Sequence, residues 1–203
     1  VTRHQRDKVA RYGGLINVDW IECRLCRSIR NSMLNAEHDP MISLRRVDES
    51  DLEEVLCLNE ASVPAVNNVD LEQMRWFAVN AAYFRVAEND GRFAGFLVGM
   101  RPGTTYASPN YRWFSERYRD FGYIDRVAVA ADAQRLGIAT ALYRDFEASL
   151  PRAVEVLTCE VNIEPPNESS MRFHESFGFR TVGTQSLENG RKQVALMAKD
   201  RFR

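Results

Sequence analysis

The sequence predicts an α/β (α+β) fold: a mixed, mostly antiparallel sheet of about seven strands flanked by four helices, preceded by an N-terminal extension. Three observations carry that expectation. From Met41 onward, strand-like and helix-like patterns alternate. Two apolar stretches flank Asn89-Asp90-Gly91, where a Gly after Asp supplies the positive φ of a tight hairpin. The strand pattern YIDRVAV runs through a short loop into a helix opening with Gln134-Arg135-Leu136-Gly137.

Element by element, Ile42 to Val47 reads as a strand, and Asp48 or Ser50 can cap a helix through Leu58, since a short side-chain oxygen satisfies first-turn amides. Asp70 opens LEQMRWFAVNAA, with Leu71, Met74, Phe77 and Ala78 at helical spacing. The hairpin strands are Tyr83 to Glu88 and Arg92 to Met100. After a loop with Pro and Gly come a strand at Tyr123 to Ala130, a helix from about Gly137 to Ser149 and a strand at Val154 to Val161. A helix from Glu168 to Phe177 and strands at Arg180 to Leu187 and Lys192 to Ala198 complete the order. A change of character at His38-Asp39-Pro40-Met41 sets the domain at 41–203. Residues 1–40 form an extension that is either dispensable or a docking helix, with an apolar side of Trp20, Leu25 and Ile29 on a helix near 19–34.

Composition removes several function classes. The chain has 203 residues, 27 Lys+Arg against 28 Asp+Glu and a net charge of −1, so no global field draws it to nucleic acid or an anionic membrane. The first 40 residues hold 7 Lys+Arg and 5 Asp+Glu, net +2, leaving 20 and 23, net −3, in the body. No uncharged run approaches the roughly 18 apolar residues of a membrane span. VTRHQRDKVAR has no following apolar stretch or cleavage site, which makes the cytoplasm the expected location. Four cysteines are too few for a disulfide scaffold, and Cys23-x-x-Cys26 lacks a second pair of ligands, so no metal is expected.

The stretch richest in chemistry is YIDRVAVAADAQRLGIATAL, Tyr123 to Leu142. The free amides of a helix start there face the end of a strand, and the small residues Gly137 and Ala139 let an anion approach the backbone. Neither a Walker loop nor a dinucleotide G-x-G-x-x-G is present, which disfavours ATP and NAD. Gln134-Arg135-Leu136-Gly137-Ile138-Ala139 resembles the R/Q-x-x-G-x-G/A signature of the GNAT (Gcn5-related N-acetyltransferase) superfamily. One strand later, Asn167 through Phe179 resembles that family's N-x-x-x-x-x-F-Y-x-x-x-G-F segment, and the element order agrees from about residue 42 to 198.

The resemblance implies an acetyl-CoA-dependent N-acetyltransferase acting on a primary amine. It implies that amides from Gln134, Arg135 and Leu136 through Gly137, Ile138, Ala139 and Thr140 seat the pyrophosphate, the helix dipole favouring its charge. It further implies that unpaired backbone groups near Val127 and Val129 bind the pantetheine arm like an added strand. Asn167 occupies a position that contacts that arm in the family, and is equally a helix cap. Glu160, in CEVN, resembles the catalytic glutamate of ribosomal-protein N-terminal acetyltransferases and is the first candidate for the base, with Asp125 the alternative. Partial desolvation in a central strand would raise the Glu160 pKa toward neutrality. Strand alternation places Arg126 on the face opposite Asp125. His174 stands where the family has its usual acid Tyr; a His can donate a proton to the leaving thiolate or simply fill a helix position. Cys159 reads as a small core residue rather than a nucleophile.

Between Arg101 and Gly122, six of the chain's 21 aromatic residues crowd into the stretch from Tyr106 to Phe121. Those rings are expected to cover the sheet edge, a partner or the mouth of the acceptor pocket, with Arg112, Arg117 and Arg119 as solvated charges. Membrane and nucleic-acid partners are not expected, and the oligomeric state is left open, the aromatic stretch and the extension being compatible with a homodimer. The rival function is a catalytically silent acyl-CoA-binding module, which the His at 174 keeps open.

Overall fold

A computed structural model describes residues 41–202. The Cys23/Cys26 pair, the helix expected at 19–34 and the extension as a whole lie outside the described residues.

Strand β1 (Ile42–Arg46) leads into helices α1 (Leu52–Ala61) and α2 (Leu71–Asn80), then the hairpin of β2 (Tyr83–Asn89) and β3 (Arg92–Met100). Helix α3 (Pro109–Ser115) precedes β4 (Gly122–Val129), α4 (Ile138–Ser149), β5 (Val156–Glu164), α5 (Glu168–Ser176), β6 (Arg180–Leu187) and β7 (Lys192–Asp200). The seven strands form one sheet in the order β1-β2-β3-β4-β5-β7-β6. All neighbours are antiparallel except β4 and β5.

Local chemistry explains the helix starts. Asp48 and Asp51 form a reciprocal capping box around a 3-10 turn, so α1 proper begins at Leu52 and runs to Ala61, beyond the expected Leu58. Asp70 accepts the Gln73 N–H at 2.8 Å and caps α2. Helix α4 turns Ile138, Leu142, Tyr143 and Phe146 into the sheet. The contact is close: a Cβ on Gly99 of β3 would lie 2.6 Å from the Phe146 ring, which is why the strand is bare at that point.

Apolar residues fill both faces of the sheet. Under α4 and α5 lie Leu97, Ile124, Leu157 and Cys159. On the other face Val55, Phe77 and Phe114 of α1 to α3 form a cluster with Phe96, Tyr123 and Leu196 of the sheet.

The sequence reading expects four helices, whereas five are present among the described residues; the addition is α3, in the stretch read as a loop. Ser108 caps it by accepting the Tyr111 N–H at 3.3 Å and Pro109 fills its first turn. At seven residues it is too short to show a helical period. Its rings enter the core: Tyr111 and Phe114 pack 5.5 and 5.9 Å from Tyr123, while Arg112, Arg117 and Arg119 are exposed.

Candidate active site

The site follows from two irregularities in β4. The parallel pairing of β4 with β5 covers only Gly122–Leu157, Tyr123–Thr158 and Ile124–Cys159, after which the strands part. Residues 126–129 of β4 therefore stay bonded to β3 while their other edge, including that of Val127 and Val129, has no strand partner among the described residues. Free N–H and C=O groups along such an edge can receive an extended chain as though it were another strand. The second irregularity is a bulge: Val98 faces Arg126 and Gly99 faces Ile124, so Asp125 is an extra residue.

The bulge reverses one expectation. Simple alternation sends Arg126 to the face opposite Asp125; the extra residue instead brings both to the same side. Arg126 Nε donates to Asp125 Oδ2 at 2.8 Å, with both side chains 4% exposed. Its Nη1 donates to Asn59 Oδ1 at 2.9 Å, and the guanidinium lies over the Phe77 ring.

A cavity of about 1010 Å³ opens where the strands part. The candidate catalytic and cofactor-binding residues read from the sequence all line it except Leu136, which is 39% exposed. At one end is the start of α4. Gly137, at φ +87, caps the helix without a side-chain hydrogen bond, and Arg135 is also at positive φ (+65). Positive φ at Gly137 costs nothing sterically, and the amides that follow carry no side-chain cap, so the donor set fits a pyrophosphate. Asn167 at the start of α5 acts as a cap, its Oδ1 accepting from Ser170 N at 3.1 Å while it faces the cavity.

Further in, Glu160 projects from β5. Tyr123, fully buried, donates its hydroxyl to both carboxylate oxygens at 3.0 and 2.8 Å. Burial raises the Glu160 carboxyl and the Asp125 charge raises it further; Asn110, Tyr123 and Lys192 oppose, leaving it pushed up to about 7. Asp125 is engaged instead by Arg126 and by the Tyr106 phenol. The arrangement separates the two carboxylates: Asp125 carries a counter-charge, and Glu160 is pushed to where a carboxylate can accept a proton near neutrality.

His174 is 3% exposed and does not stand alone. Its Nδ1 lies 2.7 Å from the Ser170 carbonyl oxygen, a contact that requires an N–H there. Nε2 then carries the lone pair and accepts the Tyr143 hydroxyl at 2.7 Å. Burial lowers the His174 pKa, favouring the neutral ring. A phenol, that of Tyr143 on α4, thus stands against the ring at position 174. Cys159 is buried and its thiol is pushed well up by desolvation, as befits packing.

Four residues of this site escape the sequence reading: Tyr123, Tyr143, Asn110 and Lys192. Tyr123 had a signal, since two residues before Asp125 on one strand means the same face. The other three come from elements far apart in the chain. Among the described residues, no group of three or more His, Cys, Asp or Glu is placed to hold a metal, and no helix is long and apolar enough to cross a membrane.

A sheet whose two parallel strands part beside an uncapped helix start defines the acyl-CoA N-acyltransferase class of fold. The chain belongs to the acetyltransferase (GNAT) family, whose sequence profile matches residues 51–179. No curated protein matches the sequence. Among solved structures it is similar to ribosomal-protein-alanine N-acetyltransferase of Brucella melitensis, at 26% identity and TM-score 0.59, covering 78% of this chain and 99% of that one. Naa20 of Chaetomium thermophilum, solved with a bisubstrate analogue, shares 23% identity at TM-score 0.60, covering 78% and 86%. Ard1 of Thermoplasma volcanium shares 18% at TM-score 0.63, covering 78% and 97%. Membership brings acetyltransferase chemistry with acetyl-CoA in general and leaves the acceptor undefined.

Proposed function

We propose that residues 41–203 form a catalytic domain, acting in the cytoplasm, that transfers an acetyl group from acetyl-CoA directly to the nitrogen of a primary amine. The observation that supports this most is Glu160: a carboxylate poised near pH 7 in the cavity beside the free edge of β4. Acetyl-CoA supplies the activated thioester. The amides of residues 134–140 hold its pyrophosphate end, and the β4 edge at Val127 and Val129 aligns its arm and polarises the carbonyl. Glu160 takes the proton that an ammonium must lose before its lone pair can attack. Tyr143 is the donor to the departing thiolate, its one O–H turning from His174 Nε2 to the sulfur, and His174 is the positioning residue that holds the phenol until then.

Titration of the purified chain with acetyl-CoA and CoA is expected to show micromolar binding, around 8 kcal/mol. ATP is expected to show none. An amine screen should then give turnover; binding without turnover on any amine would favour the silent-module reading. Replacing Tyr143 with Phe is expected to lower kcat by about tenfold or more while leaving acetyl-CoA affinity nearly unchanged. An unchanged kcat in single-turnover measurements would move the donor role to water.

A further inference from the structure

The acceptor end of the cavity contains two polar atoms whose bonding within the chain is incomplete. Asn110 is 3% exposed, lines the cavity, and has a buried Oδ1 without a hydrogen-bond partner among the described residues. An orphaned buried acceptor is costly, so an N–H is wanted there. The Asn110 side chain is one of the groups that hold the Glu160 carboxyl down, and both residues line the same cavity, so the orphaned oxygen lies on the base's side of it.

Lys192 is the opposite case. It is 9% exposed and lines the same cavity, and Nζ donates to Asn67 Oδ1 at 2.6 Å. No carboxylate among the described residues lies within ion-pair distance of it. An ammonium has three N–H donors and only one is used here, while the carboxylate whose ionisation its charge favours, Glu160, is not at bonding distance. Lys192, Val194 and Leu196 share one face of β7, and Leu196 stands opposite Glu160 in the β5–β7 register, so lysine and base face the same side of the sheet. Four residues of strand separate the two levels, roughly 13 Å, which the lysine side chain can shorten.

The segment between α1 and α2 is fastened at this end to both strands. Asn162 of β5 donates to the Pro64 carbonyl at 2.6 Å, and Lys192 of β7 holds Asn67. Those ties favour a compact occupant over a polypeptide running through.

We propose that the acceptor is a small amine bearing its own carboxylate, with its nitrogen at Asn110 Oδ1 and Glu160 and its carboxylate at Lys192 Nζ. The inference rests on the acetyltransfer reading above and names its substrate class.

The test measures acetylation by the full chain of amines paired so that they differ only in the carboxylate: glycine against methylamine, γ-aminobutyrate against propylamine, with a peptide N-terminus as a third arm. The carboxylated member of at least one pair is expected to show a kcat/KM higher by about tenfold or more, the scale of a charge-assisted hydrogen bond. Lys192→Met should erase that preference through KM, and Lys192→Arg should retain most of it, with melting temperature reporting folding. Equal turnover of both members of each pair, a preference that survives Lys192→Met, or a preference for the peptide would overturn the substrate class while leaving acetyltransfer intact. Acetyl-CoA binding with no turnover of any amine would overturn the underlying reading, and this inference with it.

Discussion

Replacing Glu160 with Gln is expected to lower kcat by about 10² to 10⁴, the usual contribution of a positioned general base. The geometry explains the size: of the two carboxylates beside the parting of β4 and β5, Asp125 is occupied by Arg126, whereas Glu160 has no cationic partner at bonding distance. In the wild type, kcat should rise with pH through about 7, because only the ionised carboxylate accepts a proton. The variant should lose that limb. Stability supplies the control. A carboxyl whose folded pKa is raised from 4.5 to about 7 binds its proton more tightly in the folded state, so stability falls as pH climbs between those values. Gln removes the penalty, and the variant should melt no lower than the wild type at pH 8. A large fall in melting temperature together with the loss of rate would identify Glu160 as a structural group. An intact limb near pH 7 in the variant would assign it to a different base.

Much of this site was legible because its parts are local in sequence. A strand, a short loop and a Gly-bearing helix start lie within twenty residues, Tyr123 to Leu142, and their order alone predicts an anion seat. Glu160 is singled out by resemblance: CEVN, on the strand after that helix, is similar to the catalytic-glutamate segment of ribosomal-protein N-terminal acetyltransferases. The apolar periods of β2, β3 and α4 are strong enough to fix their positions within a residue or two.

The illegible parts depend on long-range geometry. A bulge at Asp125 has no composition signature, yet it decides on which face Arg126 lies and so which carboxylate is neutralised. The bond between Tyr143 and His174 joins two helices, and that between Asn67 and Lys192 joins residues 125 apart. Helix α3 is defined by a Ser-Pro start and by rings that find their place only against Tyr123.

Arg126→Met is expected to destabilise the fold by about 3–5 kcal/mol, because it leaves Asp125 buried without its counter-charge. For a domain of this size that corresponds to a fall of roughly 10 °C in melting temperature. The loss does not reflect the net strength of the ion pair. Bringing both charges out of water is costly, and their attraction largely offsets that cost; removing one leaves the other's desolvation uncompensated. The double variant Asp125→Asn/Arg126→Met should therefore recover a substantial part of the stability. Recovery should be incomplete, since Arg126 also holds Asn59 Oδ1 at 2.9 Å and lies over Phe77. A double variant as unstable as the single one would show that the arginine acts chiefly through Asn59 and Phe77, with the pair to Asp125 contributing little. Asp125→Asn alone bears on catalysis as well. The Asp125 charge is one of the influences that raise Glu160, so removing it should move the kcat limb to lower pH, whereas if Asp125 were itself the base the variant should lose the limb together with most of its rate.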